Sequence, residues 1–142
     1  MNANSLPGGG ATQPAGSDLL SDASALLPEA SFAYVYGSFG TPRFGRESDV
    51  DIAVHLGRPL TLDERIAISA RLEGAFHRCI DLLDACVADP VVAHQVLKAG
   101  RVLFVRRPGD LYRFQMKTLA SYLDEKLDRR VVEDSMLAGV KR

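Results

Sequence analysis

The segment SDVDIAVHL (48–56) alternates strictly between apolar and polar or small residues. Read at period two, Val50, Ile52, Val54 and Leu56 share one face of a strand, and Asp49, Asp51, Ala53 and His55 share the other. The chain must therefore build a sheet that buries the first face and tolerates two carboxylates on the second, about 6–7 Å apart at Cα. Like charges this close repel, and strand interiors disfavour Asp. Either the pair is solvated at a strand end, or a divalent cation offsets the repulsion. Mg²⁺ suits the second case, since it takes one or two protein carboxylates and completes its shell with water and substrate phosphates. Two such ions clamp both oxygens of an in-line phosphoryl or nucleotidyl displacement.

One connection upstream, SFAYVYGS (31–38) is a second β-rich run that breaks at Gly37-Ser38. A strand ending in Gly-Ser offers backbone N–H groups and a hydroxyl to a phosphate, and glycine lets the ligand approach the backbone closely. The combined pattern is Gly37-Ser38, ten residues, Asp49, one residue, Asp51. It resembles the signature of the DNA polymerase β-type nucleotidyltransferase superfamily, in its minimal nucleotidyltransferase branch. That superfamily adds a third carboxylate from a neighbouring strand. Asp81 and Asp84, in CIDLLDACV (79–87), have opposite parity, so only one can face the site. The likeness of Ile80-Asp81-Leu82-Leu83-Asp84 to the family's V-D-L-V-D stretch assigns Asp81, and leaves Asp84 as a hydrogen-bonding residue near the strand end.

The resemblance extends over about residues 17–130 to MntA-type antitoxins, the nucleotidyltransferase halves of HEPN–MNT toxin–antitoxin pairs. It implies an enzyme that transfers AMP from ATP to a tyrosine of an HEPN RNase toxin, in a hetero-oligomer with that toxin. On this reading Gly37 and Ser38 hold the triphosphate. Asp49, Asp51 and Asp81 are the catalytic and metal-binding carboxylates for two Mg²⁺ ions, and Asp81 also helps deprotonate the tyrosine. Thr41-Pro42 stands where the family reads Arg-Gly, which leaves Arg43 or Arg46 in the same loop as phosphate contacts. Two alternatives are an antitoxin that occludes its partner stoichiometrically without catalysis, and a nucleotidyltransferase acting on a small molecule such as an aminoglycoside. No separate acceptor-binding domain is visible for the latter in 142 residues.

The remaining segments frame this constellation. Residues 1–16, rich in Gly, Pro, Ser and Asn, read as a flexible tail, and 17–142 as one domain. Helical spacing runs from Ser17 to Pro28. Thr61 with Glu64 forms a capping box for a helix to about Arg78, with Leu62, Ile66, Ala70, Leu72, Ala75 and Phe76 as its apolar positions. Asp89-Pro90 opens a helix over 90–99 and Gly100 closes it, RVLFVR (101–106) is a fourth strand, and a long helix starts near Asp110. The sum is an α+β domain of the polymerase β-type nucleotidyltransferase fold, a mixed sheet of about four strands flanked by helices.

Other features weigh less. His55 reads as a partly buried histidine, and His77 and His94 lack ligand spacing to each other. Tyr34 and Tyr36 read as packing residues, one of which could stack on a base. Cys79 and Cys86, separated by an extended strand, are out of disulfide reach and read as buried thiols. Residues 1–97 hold 12 acids against 6 Lys/Arg, and residues 98–142 hold 6 against 11. That polarity argues against direct nucleic-acid binding by the whole chain, and makes Lys117, Lys126, Arg129 and Arg130 a candidate docking surface for a charged partner. No apolar run approaches the roughly 18 residues of a membrane span. The N-terminus lacks the basic and apolar regions of a secretory signal, so the cytoplasm is the expected location.

Overall fold

The computed structural model describes residues 22–38, 45 and 49–140, with residues 128 and 131–140 as backbone only. The expected tail (1–16), Thr41-Pro42, Arg43 and Arg46 lie outside the described residues. A helical segment over 22–26 leads into β1 (Phe32–Tyr36), then β2 (Val50–His55), α1 (Leu62–Phe76), β3 (Ile80–Asp84), α2 (Pro90–Ala99), β4 (Arg101–Val105) and α3 (Pro108–Val140). The sheet order is β3-β2-β1-β4. β1 pairs antiparallel with both β2 and β4, and β2 pairs parallel with β3. This is the mixed four-stranded sheet and long C-terminal helix that the sequence predicts. Among the described residues, no helix is long and apolar enough to cross a membrane.

Period-two alternation sorts the core into two layers. Ala33, Val35, Val50, Ile52, Val54 and Leu82 pack with Ile68 and Leu72 of α1 and with Ala23 and Leu27 of the N-terminal segment. On the opposite face, Phe32, Tyr34 and Ala53 pack with Ala93 and Val96 of α2 and Phe114 of α3. β2 is therefore buried on both sides, with Ile52, Ala53 and Val54 all at 0% exposure.

Local signals hold at the helix ends. Both hydrogen bonds of the Thr61–Glu64 capping box are present, and the Asp89 side chain accepts the Val91 N–H at 2.8 Å. α3 starts at Pro108, two positions before the expected Asp110, because proline is pre-set for the first helical turn and lacks only an N–H that the turn does not need. Asp84 is 3% exposed and accepts the backbone N–H groups of Leu60 (2.9 Å) and Cys86 (3.0 Å), the hydrogen-bonding role that the resemblance left to it.

Two expectations need correction. α1 buries Ile68 and Leu72, whereas Leu62 is 70% and Ile66 59% exposed, and Ala70 and Ala75 also face out. Ile66 and Ile68 stand about 200° apart around a helix, so only one can meet the sheet. Choosing between them requires knowing how the helix lies on the strands. The cysteines are free thiols, but Cys79 is exposed and Cys86 only partly covered, because they flank β3 rather than lie within it.

The basic C-terminal portion is partly consumed in building the fold. The Arg106 guanidinium donates to the carbonyls of Ser24, Leu27 and Ala30, tying the end of β4 to the N-terminal segment. Arg107 donates to Ser31, and Arg113 pairs with Asp110. Lys117, Lys126, Arg129 and Arg130 are exposed on α3, interleaved with Asp124 and Glu125.

The burial difference in α1 is directly measurable. Ile68→Ala is expected to lower unfolding free energy by about 2–4 kcal/mol through loss of packing, and Ile66→Ala by less than about 0.5 kcal/mol, in urea titrations.

Candidate active site

Strand register assembles the site. Tyr36 of β1 is paired with Asp51 of β2, and Asp51 with Asp81 of β3. The three residues form one row across three strands, on the face covered by α2 and α3. Going inward along the same face, the next row is Tyr34, Ala53 and Leu83, which is apolar and covered. The polar row thus lies at the rim, where helix cover ends. Asp49, two residues before Asp51 and just outside β2, is exposed.

Electrostatics at this rim follow from the register. Asp51 is pushed up to about 6, first by burial, then by the charge and hydrogen bond of Asp81, and last by Asp49. The Tyr36 hydroxyl is pushed up to about 12 by burial and by the Asp51 and Asp81 charges, so it remains a protonated donor. Of the three carboxylates read from the sequence, Asp51 and Asp81 meet in this row, whereas Asp49 stands outside it and acts on Asp51 only through its charge.

Gly37 closes the row. Its φ of +74° is the left-handed region that L side chains rarely adopt. A Cβ there would lie 2.0 Å from Asp51 Oδ2. The glycine thus makes the turn and leaves the space that the carboxylate fills. Ser38 follows in the same turn, and both line a cavity of about 570 Å³ together with Tyr36, Asp51 and Asp81. Such a volume is in the range of ordinary small-ligand sites.

Sequence reasoning missed the opposite wall. Gln95 and Lys98 of α2 line the same cavity. Lys98 reads in the sequence as a helix C-terminal residue, and Gln95 carries no signal of its own. Their spacing of three, which puts both on one side of a helix, was the only available hint. Tyr36, one of the two tyrosines considered for base stacking, lines the cavity, whereas Tyr34 is 4% exposed and packs beside Phe32 and Phe114. His55 is half-buried, stacked on Phe32 with ring centroids 4.8 Å apart, and its Nδ1 accepts the Gly57 N–H. Burial holds its pKa below the usual histidine value. It lies on the site's face but two rows inward, at the far end of β2. His94 stacks on Tyr122 with centroids 3.7 Å apart, and His77 ends α1 in a left-handed conformation.

The donor set can be tested against a divalent cation. Among the described residues, no group of three His, Cys, Asp or Glu side chains is drawn into a closed metal site. Mg²⁺ does not require one, because it is held by one or two carboxylates plus water and phosphate. Asp51 and Asp81, hard-oxygen donors whose mutual repulsion a cation would relieve, fit that requirement.

Paired carboxylates at a sheet rim, facing a Gly-Ser turn across a ligand-sized cavity, are the groups that a nucleotide-transferring enzyme requires. Residues 22–108 match the family model Polymerase beta, Nucleotidyltransferase, and the chain belongs to that family. It is 29% identical over 113 residues to the protein adenylyltransferase MntA of Shewanella oneidensis, covering 80% of this chain and 81% of that one. A chain of a toxin–antitoxin crystal structure with AMP-PNP superposes with a TM-score of 0.69 at 27% identity, covering 83% of this chain and 98% of that one. A chain from the tri-AMPylated Shewanella oneidensis HEPN toxin in complex with MNT antitoxin gives 0.67 at 25% identity, over 87% and 99% respectively.

Two tests follow from this geometry. Gly37→Ala should destabilise the fold by about 1–2 kcal/mol, through the positive φ and displacement of the Asp51 carboxylate. Gly74→Ala, in α1 with nothing within 4 Å of its Cβ, should be neutral or stabilising, and urea titrations compare the two. For Asp51, the metal-free folded protein keeps a proton that the unfolded chain has lost between its ordinary 3.8 and about 6. That contribution to stability is fully present below about pH 4 and is lost as pH rises through 6. Asp51→Asn should therefore abolish the decline. At pH 7 the variant should be as stable as wild type or more so, by up to about 1 kcal/mol after allowance for solvent screening, in thermal melts from pH 4 to 7.

Proposed function

We propose that this chain is a protein adenylyltransferase antitoxin, which transfers AMP from ATP to a tyrosine of a cognate HEPN-type RNase toxin and thereby neutralises it. The observation that carries the reading is the row Tyr36–Asp51–Asp81, opening with Gly37-Ser38 into one cavity. Likeness over nearly the whole length of the solved neighbours supports it, as does the adenylyltransferase activity of the Shewanella oneidensis relative.

In this mechanism the Gly37-Ser38 turn binds the nucleotide phosphates through backbone N–H groups and the Ser38 hydroxyl. Arg43 and Arg46, in the β1–β2 connection, add cationic contacts to the same phosphates. Asp49, Asp51 and Asp81 would hold two Mg²⁺ ions, whose chemistry when bound is to neutralise phosphate charge and align the displacement. The acceptor tyrosine oxygen attacks the α-phosphorus, the bond to the bridging oxygen of the pyrophosphate breaks, and pyrophosphate leaves. Asp81 helps to take up the tyrosine's proton, which is needed because a free phenol near pKa 10 is a poor nucleophile at neutral pH. Tyr36 keeps its own proton and lines the pocket as a hydrogen-bond donor.

The decisive experiment separates turnover from occlusion. A small amount of this protein with Mg²⁺ and ATP should inactivate an excess of its HEPN partner. The partner's mass should rise by whole AMP units on tyrosine, and inactivation should persist after this protein is removed. Asp49→Asn combined with Asp51→Asn should lower transfer by about 100-fold or more while leaving the complex intact. Protection by the double variant at one copy per toxin, without ATP, would instead establish a binding antitoxin.

A further inference from the structure

We infer that Lys98 is a nucleotide-binding residue of this site, the cation that meets the phosphates from the wall opposite the carboxylates. The inference deepens the nucleotidyltransferase reading and rests on it. Among the described residues lining the cavity, Asp51 and Asp81 are anionic and Lys98 is the one cation. A triphosphate entering such a pocket meets repulsion from the carboxylates and requires positive charge elsewhere. Arg106, Arg107 and Arg113 lie at the other end of the sheet, committed to backbone carbonyls, Ser31 and Asp110. Lys98 is exposed and has no ion pair among the described residues.

The fold holds Lys98 at the cavity for a specific reason. Ala93 and Val96 bury one side of α2 against the sheet, leaving Gln95 and Lys98, one turn apart, along the cavity. Gly100 then ends the helix directly on β1. A Cβ at that position would lie 2.4 Å from the Val96 carbonyl oxygen, 3.1 Å from that of Val35 and 3.2 Å from the Tyr34 ring. Because Arg101 pairs with Val35 in the next step, the end of α2 is pinned beside the strand residues that precede Tyr36 and Gly37. A lysine two residues before that contact stands on the same rim as the Gly-Ser turn.

The competing role for Lys98 is structural, since a cation in the last turn of a helix favours the helix dipole. Binding experiments distinguish the two. Calorimetric titration of the full chain with Mg²⁺ and AMP-PNP should show binding that Lys98→Ala weakens by about tenfold to a hundredfold, as expected for loss of a charged hydrogen-bonding partner. Lys98→Arg should restore affinity to within about threefold, because both side chains carry the charge. Adenosine, which has no phosphate, should bind both wild type and Lys98→Ala equally. If wild type binds AMP-PNP and Lys98→Ala binds it as tightly, the assignment of Lys98 is wrong while the nucleotide site stands. Equal loss of adenosine and AMP-PNP by Lys98→Ala would assign the residue a structural role and overturn the inference. Failure of wild type to bind AMP-PNP would overturn the nucleotidyltransferase reading itself.

Discussion

Asp51 and Asp81 are held side by side by the parallel register of β2 and β3, and much of the surrounding structure follows from that juxtaposition. Repulsion between them could be relieved by a small shift of either strand, yet β2 cannot shift. It is an inner strand, paired on both edges and buried on both faces, so a slip of one residue would turn Ile52 and Val54 out of one core layer. The hydrophobic core thus holds in place an electrostatic arrangement that the carboxylates alone would not adopt. Gly37 completes it by lacking the Cβ that would collide with Asp51.

The division of the sheet into two covered faces explains why the site lies where it does. On the α2/α3 face the rows run from Phe32 and His55 at one end, through Tyr34 and Ala53, to Tyr36, Asp51 and Asp81 at the other. Aromatic packing of Phe32, Tyr34 and Phe114 fills the interior rows, and the polar row begins where that packing stops. A cavity forms at this boundary because α2 ends there, on Gly100, and leaves its exposed side chains facing the carboxylates. Charge is also partitioned by structure. Arginines from the basic end of the chain are spent on carbonyls and carboxylates of the fold, and the simple polarity of the sequence does not survive as a simple polarity of the surface.

Much of this was legible in the amino-acid order. Alternation in 48–56, the Gly37-Ser38 break, the Thr61–Glu64 box and the Asp89-Pro90 start are local patterns. They need only the stereochemistry of a strand, a turn or a first helical turn to be read. Parity showed that only one of Asp81 and Asp84 can face the site, the family resemblance chose Asp81, and burial of Asp84 against two backbone N–H groups matches that choice. What local pattern could not supply was the face of α1 that meets the sheet, where Ile66 and Ile68 are equally apolar. Nor could it supply the exposure of Cys79, which depends on where β3 begins pairing.

By itself, the sequence determined which segments are strands and helices, and which carboxylates share a face, because those properties depend on residues a few positions apart. Only the tertiary structure decided that Tyr36, Asp51 and Asp81 form one row, that Gly37 makes room for Asp51, and that Gln95 and Lys98 complete the cavity. These depend on strand register and on where a helix ends against a strand, which are contacts between residues far apart in the chain. They are settled by packing two core layers at once, and packing leaves no mark in any single stretch of sequence.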